Sequence, residues 1–222
     1  MIKRVISIVS MVFWGFLLML ANGFTANCAE AASTSPIEVR ATSSVEIRVT
    51  SASVKIESTE QSEIYYQYNS EMYSVASDKD DMGNIIIDIS GKNVSTDSAV
   101  VVYIPNIYEN VKVNVDEGFF ECDSFNGKLS GTFKDCYVGF AIKKEFSGVI
   151  DIQIQDGCYV GFNSANAYRN CKTTIINSSE KYEVSVPTYF KKSGDKYTYV
   201  NGTRVGDINV NFVSGSGMGI FN

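Results

Sequence analysis

The chain has 222 residues, 45% hydrophobic and 12% aromatic, with 19 Lys+Arg against 25 Asp+Glu and no histidine. That composition is globular, and the missing histidine removes the commonest general base near neutral pH, every Ser/His or Cys/His nucleophile pair and the HExxH zinc site. The net charge of −6 argues against a nucleic-acid partner, because phosphate binding needs a surplus of Lys and Arg on one face.

Lys3 and Arg4 precede an uncharged apolar run from Val5 to Ala21, and Ala29-Glu30-Ala31 supplies the small-x-small pattern of a signal-peptidase site. Residues 1–31 therefore read as a cleaved secretory signal and residues 32–222 as a single β-rich domain. Cys28 follows Thr25-Ala26-Asn27 and raises a lipoprotein alternative, against which stand the Asn directly before it and a Thr where Leu is usual. If the leader stays uncleaved it is the protein's one contact with the membrane, and a run of about 17 residues is short for a spanning helix. The rest of the chain is expected outside the cytoplasm, secreted or associated with the cell surface.

Beyond the leader, period-two alternation recurs in Ile37 to Arg40, Val45 to Val49, Val54 to Ile56, Ile64 to Tyr68, Ile85 to Ile89, Val100 to Ile104 and Val111 to Val115. Alternation of this kind places every second side chain on one face and predicts strands. Asp78-Lys79-Asp80-Asp81-Met82-Gly83-Asn84 is a polar loop of hairpin type, so the N-terminal part reads as a β-hairpin region. The loop echoes an EF-hand, but Met82 sits at a ligand position and the bidentate Glu is missing.

An internal repeat follows, clearest over residues 108–180. Cys136-Tyr137-Val138-Gly139-Phe140 lies over Cys158-Tyr159-Val160-Gly161-Phe162, and Phe125 to Asp135 lies over Phe146 to Asp156. A fainter copy is Tyr168-Arg169-Asn170-Cys171, and Val111, Val113 and Val115 lie over Leu129, Gly131 and Phe133. A period of roughly 18 to 22 residues suits one coil of an all-β, short-strand β-solenoid or β-helix-like stack, since a single rung cannot bury its own apolar face. In-register stacking then places Cys136, Val138 and Phe140 beneath Cys158, Val160 and Phe162, about 4.8 Å away.

Three constellations are candidates for chemistry. Cys136 and Cys158 occupy equivalent inward positions within the Cα separation of roughly 4.4 to 6.8 Å that a disulfide tolerates, while a buried pair of thiols is the plainer alternative. Cys122 aligns with Phe140 and Cys171 near Val149, as core fillers. No pair has the CxxC spacing of a zinc or redox motif. Glu117, Asp135 and Asp156 fall at one corner of successive rungs, where stacked carboxylates repel and Ca²⁺ would relieve them; the alternative is that each is a turn former. Phe119, Tyr137 and Tyr159 line the outward side of the repeat as a candidate contact face, and Tyr65, Tyr66, Tyr68 and Tyr73 crowd one hairpin. Such rows stack on sugars, anchor a protein or simply pair across strands. The Asn-x-Ser/Thr sequences at Asn93, Asn177 and Asn201 matter only in a eukaryotic secretory pathway.

Val100-Val101-Val102-Tyr103-Ile104-Pro105, then Val111 to Gly118, and the ending Val205-Gly206-Asp207-Ile208-Asn209-Val210-Asn211-Phe212 with Ser214-Gly215-Ser216-Gly217-Met218-Gly219-Ile220 resemble the putative-adhesin domains of exported bacterial proteins. That family is a β-solenoid-like stack of short strands without established catalytic residues. The resemblance spans residues 37 to 222 and departs from the family where Asp-Cys and Asp-Gly-Cys replace Gly-Asp turns. It implies a non-enzymatic envelope or secreted protein, adhesin-like or a scaffold for a protein or cell-wall glycan. The alternative is a small β-helix polysaccharide lyase or hydrolase using Asp135 and Asp156 with Lys134 beside them. Besides Ca²⁺ at the acidic corner no cofactor is expected, and self-association is expected at the stack ends, the Gly-rich tail from Ser214 to Asn222 being the open edge.

Overall fold

The computed structural model describes residues 44–92, 94, 98–123, 125–143, 145–163, 170–179, 181–200 and 205–222. The leader, the expected strand Ile37 to Arg40, Tyr168 and Arg169, and the acceptor residues Asn93 and Asn201 lie outside them. The described residues contain no α-helix. In chain order the strands are β1 (Val45–Thr59), β2 (Tyr65–Gln67), β3 (Tyr73–Lys79), β4 (Ile85–Gly91), β5 (Val100–Pro105), β6 (Asn110–Cys122), β7 (Lys128–Ala141) and β8 (Val149–Ile154). They continue with β9 (Tyr159–Asn163), β10 (Cys171–Asn177), β11 (Lys181–Ser185), β12 (Lys191–Ser193), β13 (Lys196–Tyr199), β14 (Gly206–Phe212) and β15 (Ser216–Phe221). All belong to one 15-stranded sheet, which is not closed.

Most pairings are parallel and in register, and they divide the sheet into two walls. In the first wall the order is β4, β1, β6, β7, β8, β14, β10; in the second it is β5, β1, β6, β7, β9, β15, β11. The long strands β1, β6 and β7 serve both walls by bending in the middle. Each bend holds a residue in the left-handed region: Ser51 at φ 50°, Glu117 at 65° and Asp135 at 48°. On the next two rungs Gly157 (72°) and Gly215 (82°) take that role, and there the strand breaks into two. A left-handed L-residue costs roughly 1–2 kcal/mol, so the corners are favoured only because stacking over-determines them.

Alternation then sends one set of side chains between the walls. Ile47, Val113, Ile152 and Val210 from the first wall and Val54, Phe120, Val138, Val160 and Phe221 from the second are all buried in a single apolar cluster. The walls meet through Phe120 and Phe133, 5.0 Å between centroids. Along the stack Phe140, Phe162 and Phe221 form a ladder at 4.6 and 5.0 Å, and each fully buried ring contributes roughly 1.5–3 kcal/mol. Tyr182 turns inward over Gly217 and packs on Phe212 at 4.7 Å. Its hydroxyl donates to the Gln155 carbonyl and accepts the Cys158 N–H at 3.1 Å. Tyr182→Phe leaves that buried N–H without a partner, and the expected loss is about 1–3 kcal/mol in urea unfolding; an unchanged midpoint would show that the hydroxyl does not hold the corner.

Sequence order and sheet order agree only from β6 to β9. At one end β4 and β5 lie outside β1 although they follow it in the chain, and at the other β14 and β15 enter between β8/β9 and β10/β11. These reversals place antiparallel cover on the ends, β3 on β4, β2 on β5, and β13 followed by β12 on β10. Covering an end strand removes an aggregation-prone edge. Phe190, 8% exposed, plugs the far end with Tyr189 and Tyr199 packed around it. The tail from Ser214 to Asn222 is not the open edge expected of it, because β15 is hydrogen-bonded on both sides, to β9 and β11. In the second wall the terminal strand among those described is β11.

Candidate functional site

The outward face of the second wall carries the expected aromatic row. Register pairs Phe119 with Tyr137 and Tyr137 with Tyr159, and the rings stack at 4.7 Å and 7° and at 5.2 Å and 14°. Tyr159 is 38% exposed, and Met218 follows it on the next rung. In this geometry Tyr137 spends both ring faces on its neighbours, and Phe119 and Tyr159 each spend one face on Tyr137. A pyranose needs an open ring face to stack; a protein partner does not.

The tyrosines of the N-terminal hairpin region are structural. Tyr65 stacks on Tyr103 across the β2–β5 pair at 4.3 Å, and buried Tyr73 donates its hydroxyl to the Ser98 carbonyl at 2.7 Å. Asp80 closes the β3–β4 loop by accepting the Met82 and Asn84 N–H groups at 2.9 and 2.8 Å and the Asn84 side-chain amide at 2.9 Å. Those bonds, the Asn84 side chain foremost, hold its carboxyl below the usual range.

Glu117, Asp135 and Asp156 do stand at one corner on successive rungs, but each carboxylate has a different neighbour. Glu117 accepts from the Ser51 hydroxyl at 2.6 Å. A Cβ at Gly157 would come within 2.2 Å of Asp135 Oδ1, and one at Gly215 within 1.8 Å of Asp156 Oδ1. Each Asp thus reaches over the glycine of the following rung. Lys134 lies 3.3 Å from Asp116 and 3.7 Å from Asp135 in an exposed pair. Among the described residues no group of three or more His, Cys, Asp or Glu side chains is arranged to hold a metal ion.

Cys136 and Cys158 are 2% and 0% exposed with their Sγ atoms 3.5 Å apart, and both are free thiols in this structure. Cys158 Sγ also lies 3.7 Å from the Asp156 carbonyl. Contact with Cys158 and burial hold the Cys136 thiol protonated, far above its ordinary range. Cys122 pairs in register with Phe140, and Cys171 with Gly206.

One constellation has no precursor in the sequence reading. Lys55, 8% exposed, bonds Asp123 at 2.9 Å and Glu57 at 3.0 Å on the outer face of the second wall, and Glu121, 6% exposed, sits beside it. Burial alone would lower the Lys55 pKa; the bonds to Asp123 and Glu57 outweigh it, and the ammonium stays charged. Glu121 is pushed up to about 7, first by burial and then by Asp123. Its Oε2 and Asp123 Oδ1 are buried without a hydrogen-bond partner among the described residues. The only available signal was Lys55-x-Glu57 and Glu121-x-Asp123, two outward pairs on strands whose register no local repeat links.

No family model matches the chain, and none of the curated proteins does. Among solved structures the chain is similar to the crystal structure of a putative cell adhesion protein from Clostridium sporogenes, with a TM-score of 0.53 and 15% identity over 84% of this chain and 96% of that one. The likeness is one of fold.

Proposed function

We propose that this protein is an exported, non-enzymatic, adhesin-like scaffold of the cell surface, a β-solenoid-type stack that presents the ridge of Phe119, Tyr137 and Tyr159 to a protein partner. The observation that carries the reading is the face-to-face stacking of the ridge, which makes a rigid aromatic area for a protein surface and closes both faces of its central ring, Tyr137, to a glycan. The apolar leader and the absence of histidine support export without hydrolytic chemistry. The separate neighbours of Asp135 and Asp156 count against a lyase or hydrolase, whose two carboxyls converge on one bond. The shared fold with the putative cell adhesion protein of C. sporogenes is in keeping with this reading.

The test measures retention of labelled protein on whole bacterial cells. Tyr137→Ala with Tyr159→Ala should lower retention about tenfold while the circular dichroism spectrum is unchanged. Shaving the cells with trypsin should abolish binding to them, and digesting their wall glycan should not. Retention that survives the double substitution would remove the ridge from the contact face; retention lost with the glycan would replace a protein partner by a carbohydrate.

A further inference from the structure

We propose that Cys136 and Cys158 are joined by a rung-to-rung disulfide in the protein made in an oxidising compartment; the inference rests on the export reading for its setting, but not for its geometry. In-register neighbours on parallel strands have Cα atoms about 4.8 Å apart, inside the disulfide range. Here the two sulfurs already touch at 3.5 Å. In the adjacent rung Cys136 faces Gly118, so its sulfur can turn toward Cys158 without displacing a side chain. Both remaining described cysteines lack a cysteine opposite them, Cys122 facing Phe140 and Cys171 facing Gly206. Contact therefore supports a single pair, Cys136 with Cys158, and leaves Cys122 and Cys171 unbridged.

The step consumes an incoming disulfide of the thiol-oxidoreductase or glutathione class. The thiolate of one cysteine attacks that disulfide and releases one of its sulfurs as a thiol. The second cysteine, giving up its proton, then attacks the mixed disulfide and releases the other. Two S–H bonds of the protein are lost, one S–S bond forms, and the two electrons and two protons end on the reduced carrier. Because both sulfurs are buried in the finished stack and the Cys136 thiol is held protonated there, the exchange belongs to folding, before the rungs close.

The purified protein, reduced and unfolded in guanidinium, is refolded in a mixture of oxidised and reduced glutathione, alkylated and cut with trypsin. The expected product is the peptide Asp135 to Lys143 linked to Glu145 to Arg169, two hydrogen masses below the sum of the separate peptides. Recovery of both cysteines in alkylated form would overturn the proposal. Dithiothreitol should lower the melting temperature of the refolded protein by about 5 °C or more, and should leave Cys136→Ala unmoved. An equal response in both would also overturn it, and if the variant fails to fold the peptide map still decides. Cell fractionation reads export separately: a linked pair after refolding of a chain found only in the cytoplasm would keep the disulfide geometry and remove the export reading.

Discussion

Gly131→Ala is expected to destabilise the stack strongly. A Cβ at this position would lie 1.7 Å from the Val113 carbonyl oxygen and 2.7 Å from its carbon, and the obstructing atoms are backbone in a hydrogen-bonded strand. No rotamer change relieves that contact, so β6 and β7 must part at Val113↔Gly131. Parting them breaks the middle of the sheet, where a loss of about 3 kcal/mol or more is expected. The comparison is with Ser130→Ala, one residue away on the outward face, which should cost less than about 0.5 kcal/mol. Urea midpoints of the two variants decide it; a Gly131→Ala protein as stable as the parent would mean that the rungs slide past each other freely.

The second large effect is at the Lys55 cluster. Lys55→Ala leaves the buried Glu121 and the partly exposed Glu57 and Asp123 without their cation, and the expected cost, below the roughly 3–5 kcal/mol of a fully buried pair because solvent screens two of the three carboxylates, is about 2 kcal/mol. Glu121 gives the same cluster a pH signature. Its folded pKa, about 7, lies above the ordinary value of 4.5. Between those two values the folded chain holds a proton that the unfolded chain has released. The contribution to stability is therefore full below about pH 4.5, declines as pH rises through about 7, and is flat beyond. At 1.36 kcal/mol for each unit the decline amounts to about 3 kcal/mol at most. Glu121→Gln should abolish it, so the variant gains on the parent between pH 5 and pH 8 in paired urea titrations. A parent and variant that run parallel over that range would show that Glu121 is ionised in the folded state.

Much of the stack was legible because in-register stacking makes residues repeat themselves. The lattice that places Val111 over Leu129 and Ile150, and Cys136 over Cys158, is the register observed. The left-handed bend falls on Glu117 and Asp135 as well, but on the following rung it falls on Gly157, one residue beyond Asp156. Less was legible at the site. The Phe119–Tyr137–Tyr159 row could be named from alternation, but not that its central ring would use up both faces. The acidic corner could be named as well, but not that each carboxylate would lean on a separate neighbour.

Local pattern by itself determined an all-β chain, the rungs from β6 to β9 and which of their side chains face inward, because alternation and repeat length are properties of neighbouring residues. The tertiary structure decided where β1, β4, β5, β14 and β15 enter the stack, and with them the Lys55 cluster, the inward turn of Tyr182 and the identity of the covered ends. Any alternating strand can pair with any other at the same spacing of about 4.8 Å. The choice among partners is made only when whole faces are buried together, which no short stretch of residues records.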